Sequence, residues 1–121
     1  MKDNLVLTVS SLLSILLLSI HVTDDVVHGF DSWTPTSFLF GVILGILLYG
    51  TLLLNERRSG LVLMLLGGLG ATAMPVIHRH AGAVAGASGG FRFIWTLWAL
   101  GAIGTLTVLL ALRGLWLRRS G

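Results

Sequence analysis

Four long apolar runs, broken by short polar or small-residue segments, set the pattern of this chain. The first, Leu5 to about Val22, contains no charged residue and is long enough to cross roughly 30 Å of hydrocarbon as a helix. The second, Ser37 to Leu54, follows the turn-like Asp31-Ser-Trp-Thr-Pro35, and Asn55-Glu-Arg-Arg-Ser-Gly60 makes a short polar turn after it. The third runs from Leu61 to Ile77 with Pro75 near its end. Beyond His78-Arg-His80, a segment rich in Gly and Ala extends to Gly90, and the fourth run covers Phe93 to about Leu117 before Arg118-Arg119. The strict alternation of a barrel strand is absent. In lipid a backbone must satisfy its own polar groups, so the runs predict helices. We expect helices over about 5–27, 37–54, 61–77 and 93–117. The fold class expected is all-α, a single-domain integral membrane four-helix bundle with up-down-up-down connections, because short links make successive helices antiparallel neighbours.

Composition strengthens this picture. Hydrophobic residues make up 55% of the 121 residues and charged residues 11%, against about 25% charged in soluble domains. Such a chain cannot cover itself with polar groups, so the lipid bilayer is the expected surrounding. The formal charge of +3 comes from basic residues at the ends of apolar runs, where they orient a membrane protein. No basic stripe interleaves with exposed aromatics, so nucleic acid is not an expected partner. Lys2 ahead of a Leu-rich stretch is signal-like, but no small-x-small cleavage motif follows, and the segment reads as an uncleaved first helix. With no cysteine in the chain, disulfides, thiolate chemistry and Cys-based metal sites are excluded.

Basic residues also give an orientation. Lys2, Arg57, Arg58, Arg113, Arg118 and Arg119 share one side of a four-span arrangement, while Arg79 and Arg92 lie on the other. This bias predicts both termini in the cytoplasm and a multi-pass location in the cell (inner) membrane. Trp33, Trp95 and Trp98 then mark the outer interface, and Tyr49 and Trp116 the inner one. Gly41 and Gly45 form a GxxxG, Gly67 and Gly68 cluster on the third helix, and Gly101 lies on the fourth. Small residues of this kind permit close helix approach, either inside the bundle or in a homo-oligomer or larger membrane complex.

The residues with chemical potential are His21, Asp24, Asp25 and His28. On a continuing first helix their spacings of three, four and seven place them near one face, above Ser14 and Ser11. Topology then brings His78 and His80 to the same outer side. Imidazole and carboxylate suit zinc, copper or iron, and bundles build metal sites from facing helices. His21, Asp25, His28 and His78 are the first ligand choices, with His80 and Asp24 in reserve. A bis-His haem b between His21 and His78 ranks below a non-haem metal, because membrane cytochromes usually seat such ligands within the span. The same residues are also what a solvated membrane edge would show. No span carries an ionisable residue near its middle, which argues against an ion-coupled exporter. Ser88 lacks the elbow context of a hydrolase nucleophile, and the Gly82–Gly90 stretch lacks the Lys of a phosphate cradle. Two functions stay open. One is a metal- or haem-binding, redox-linked membrane protein. The other is a non-catalytic accessory subunit that docks through Gly-rich helix faces.

Overall fold

A computed structural model describes residues 2–27, 35–80 and 90–119. It is all-helical, with α1 (Lys2–Val27), α2 (Pro35–Leu53), α3 (Arg58–His80) and α4 (Gly90–Leu117). Each helix covers one of the four apolar runs, α2 stopping one residue short of Leu54. The boundaries move where local chemistry differs from hydropathy. α3 starts at Arg58, inside the expected polar turn, because Leu54 turns the chain by accepting the Arg57 N–H at 2.8 Å. It also continues through Pro75 to His80. Proline removes one helical N–H, a loss that neighbouring helices accommodate in membrane proteins.

Three helices are long and apolar enough to cross a membrane: Asn4–Val27, Arg58–His78 and Ile94–Leu117, with mean hydropathies of 2.3, 2.0 and 1.8. The apolar part of α2, Phe38–Leu53, is shorter, about 24 Å at 1.5 Å per residue. Large apolar side chains such as Leu5, Leu16, Leu66 and Leu109 lie on the outer surface. Only hydrocarbon or another apolar surface covers them without penalty.

The core has three layers along α1. At one end Leu7 packs with Leu61 and Met64 of α3 and Ala111 of α4. Higher up, Leu17 and Leu18 pack with Ala71 and Leu100. Between them lies a buried hydroxyl layer. Ser11 meets Thr51 at 2.8 Å, Ser14 meets Thr107 at 3.3 Å, and Thr107 lies 3.2 Å from Ser10. Each hydroxyl has one proton. Thr51 directs its own to the Leu47 carbonyl at 2.8 Å, so Ser11 donates to Thr51. Such contacts join helices where apolar area alone favours no partner over lipid.

α3 and α4 form the closest pair. A Cβ built on Gly104 would lie 2.8 Å from the Ala71 Cβ and the Thr72 N, and one on Gly68 would lie 3.0 Å from the Gly104 carbonyl. A Cβ on Gly101 would meet Pro75 Cγ at 2.9 Å. α2 approaches α3 at Gly67, where a Cβ would lie 3.1 Å from Leu47. Gly41 and Gly45 differ, since a Cβ on either meets nothing within 4 Å. The GxxxG of α2 therefore lies outside the contacts that the described residues make with one another.

Candidate metal centre

The first two turns beyond the upper apolar layer carry the site. His21 stands one turn above Leu17 and Leu18 on the inward face of α1 and is completely buried. Asp25 follows one turn later and is 19% exposed at its side chain. His78 reaches the same point from the end of α3 and is 14% exposed. The buried face of α1 continues downward through Ser14, Ser11 and Ser10, so the stripe that carries His21 is the one that faces the bundle.

The three side chains converge. His21 Nε2 lies 3.2 Å from His78 Nε2. Asp25 Oδ2 lies 3.7 Å from His21 Nε2 and 3.6 Å from His78 Nε2. A triangle with these sides has its equidistant point about 2.0 Å from each corner. Zinc–imidazole and zinc–carboxylate bonds are about 2.0–2.2 Å. An ion slightly out of the plane of the three atoms would thus meet all of them at ordinary bond lengths.

The His78 tautomer is set by its own helix. Its Nδ1 lies 3.0 Å from the Met74 carbonyl oxygen. A carbonyl can only accept, so Nδ1 carries the proton and Nε2 presents a lone pair. This second contact also fixes the ring plane, as outer hydrogen bonds do for metal-bound histidines. Paired without an ion, His21 Nε2–H donates to His78 Nε2. To act as a ligand, His21 must carry its proton on Nδ1 instead, and both Nε2 lone pairs are then available to one ion.

The two rings lie edge to face, with centroids 4.6 Å apart and planes at 75°. The 3.2 Å between their Nε2 atoms is a separation that two ligands with bonds near 2 Å to one ion can have.

The other expected ligands fall elsewhere. Asp24, three residues beyond His21, is buried, 8% exposed, and is outside the converging trio. His80 closes α3, and its side chain lies outside the described residues, as does the whole of His28. Among the described residues, the trio His21, Asp25 and His78 is the group able to hold a metal ion. Sequence spacing picked out these three among six. It did not foresee the Met74 carbonyl that orients His78, since any residue four positions before a helical histidine could supply it.

No protein-family model, curated protein or solved structure matches the chain.

Proposed function

We propose that this protein is a small multi-pass membrane protein that holds a transition-metal ion on His21, Asp25 and His78, at the end of the bundle where α1 and α3 finish. The observation that carries this reading is the 3.2, 3.6 and 3.7 Å triangle of ligand atoms, sized for bonds of about 2 Å. Two neutral imidazoles and one carboxylate suit zinc first, with copper(II) and iron(II) as chemically reasonable occupants. Three protein ligands leave one corner of a tetrahedron for water or a small exchangeable ligand. Asp25 and His78 are partly exposed, so that corner faces the outside of the bundle. Bound there, a metal would lower the pKa of its water and polarise an oxygen ligand. The distribution of basic residues supports an orientation with this end external and both termini cytoplasmic, in an up-down-up-down arrangement with α2 as the fourth span. Zinc titration of the purified chain and of His78→Ala tests the assignment. Equal binding by the two would remove it.

A second reading has its own support. Gly41 and Gly45 have nothing within 4 Å of a would-be Cβ, and Leu39, Val42, Ile46 and Tyr49 are exposed on the same helix. This face suits close approach by a helix of another chain, as in a homo-oligomer or as an accessory subunit of a larger membrane complex. The two readings are compatible unless the metal titration fails. In that case the docking role stands alone.

A further inference from the structure

The opposite end of the bundle contains a cleft whose chemistry is unlike that of the metal centre. It lies where α1 and α3 begin and α4 ends, and encloses about 280 Å³. Its floor is apolar, formed by Leu7, Leu61 and Leu110, and its rim carries Asn4, Arg113 and Arg118. Among the described residues no acidic side chain lines it. Leu7 and Leu61 are also part of the lower core layer, so the floor is held by packing. The rim is held as well. Arg118 Nη1 donates to the Glu56 carbonyl and Arg58 Nη2 donates to the Arg118 carbonyl, tying the end of α4 to the α2–α3 turn.

We propose that this cleft binds the headgroup end of an anionic phospholipid. Charge complementarity at a defined depth favours this occupant. Two guanidinium groups and one amide offer donors to phosphate oxygens, and arginine recognises phosphate through a planar fork of N–H groups. Directly below them the wall is leucine, so the group that follows the phosphate must be apolar. A phosphodiester joined to acyl chains has that sequence of polar and apolar parts, whereas a free anion would leave the leucine wall bare. Arg113 stands one helical turn before the end of α4, at the level where an arginine extends toward headgroups. Basic pockets between membrane helices are a recognised mode of anionic-lipid binding. The site is independent of the metal reading, since no residue is shared between the two ends.

The test uses the full chain in mild detergent with an equimolar mixture of phosphatidylglycerol and phosphatidylcholine, and reads retained lipid by native mass spectrometry. Wild type should retain phosphatidylglycerol about thirtyfold in preference, in line with roughly 1 kcal/mol for each of the two basic residues near the surface. Arg113→Gln should lower that ratio severalfold, and Arg113→Gln with Arg118→Gln should bring it close to one. Arg57→Gln, which does not line the cleft, should leave it unchanged. Thermal unfolding of each variant reports whether it folds. Arg113→Gln alone keeps the test valid if removing Arg118 loosens the α2–α3 turn. An unchanged ratio in folded Arg113→Gln overturns the proposal, and so does an equal loss in Arg57→Gln, which would indicate diffuse charge. Displacement of the lipid by millimolar inorganic phosphate would overturn the lipid assignment in favour of a simple anion site, whereas persistence supports it.

Discussion

Gly104→Ala is the substitution whose consequence follows most directly from the packing. The added methyl would stand 2.8 Å from the Ala71 Cβ, 2.8 Å from the Thr72 nitrogen and 2.9 Å from the Gly68 carbonyl oxygen. Two of these neighbours are backbone, so no rotamer change relieves them. Ordinary carbon contacts lie near 3.5–4.0 Å, so α3 and α4 would have to separate by about 0.7–1.2 Å. Overpacking of this kind costs about 1–3 kcal/mol. Alanine's greater helix propensity returns about 1 kcal/mol, leaving a net loss of roughly 0–2 kcal/mol. Reversible unfolding in mixed micelles, monitored by helical circular dichroism, measures it. A double-mutant cycle with Ala71→Gly isolates the methyl–methyl clash, and a favourable coupling of about 0.5–1 kcal/mol is expected for residues in contact. If Gly104→Ala were more stable than wild type, with zero coupling to Ala71→Gly, the close α3–α4 approach would be refuted.

Three further outcomes follow. Gly45→Leu should leave the unfolding of an isolated chain unchanged, because nothing within the chain approaches that position; a loss of chain–chain association, read by crosslinking or sedimentation, would then mark α2 as a docking face. Gly101→Ala should push on Pro75, whose Cγ lies 2.9 Å from the new Cβ position, and so displace His78 three residues further along. Metal affinity measured by calorimetry should fall about tenfold or more, with a smaller change in unfolding midpoint, and a fall in stability alone would contradict this coupling. Affinity should also fall with pH. Protons compete with the ion for the two Nε2 lone pairs, so binding weakens as pH drops. Pulldown of metal that is unaffected between about pH 7.5 and 5.5 would show that imidazoles are not the ligands.

Much of the helical framework was legible because lipid permits few alternatives. Runs such as Leu5–Val22 and Phe93–Leu117 have little to be except helices. The trio also lay in the sequence, since His21 and Asp25 share a face by spacing and His78 ends the third run. Their meeting depended on α1 touching α3 across the bundle, a fact of packing that no spacing encodes. The facing of the glycines was hidden for a related reason. Helix α2 is apolar on every side, from Phe38 to Leu53, so hydropathy does not say whether Gly41 and Gly45 look inward. Gly104, the most crowded glycine on α4, carries no spacing that marks it out in the sequence. The hydroxyl layer was visible only in part. Ser11 and Ser14 announced a polar stripe, but their partners Thr51 and Thr107 stand on different helices and are ordinary membrane-helix residues in sequence.

Three side chains, His21, Asp25 and His78, are proposed to hold one ion. Metal content of the purified protein, after loading with zinc and exhaustive removal of free ion, measures it most directly. Close to one zinc per chain is expected, bound with two nitrogen and one carboxylate oxygen ligands in the X-ray absorption fine structure. Asp25→Asn and His78→Ala should each weaken binding by about one to two orders of magnitude, as loss of a ligand or its orienting partner does, while the helical content is retained. Stoichiometric zinc that persists undiminished in His78→Ala, or no zinc in the wild-type chain at neutral pH, would contradict it.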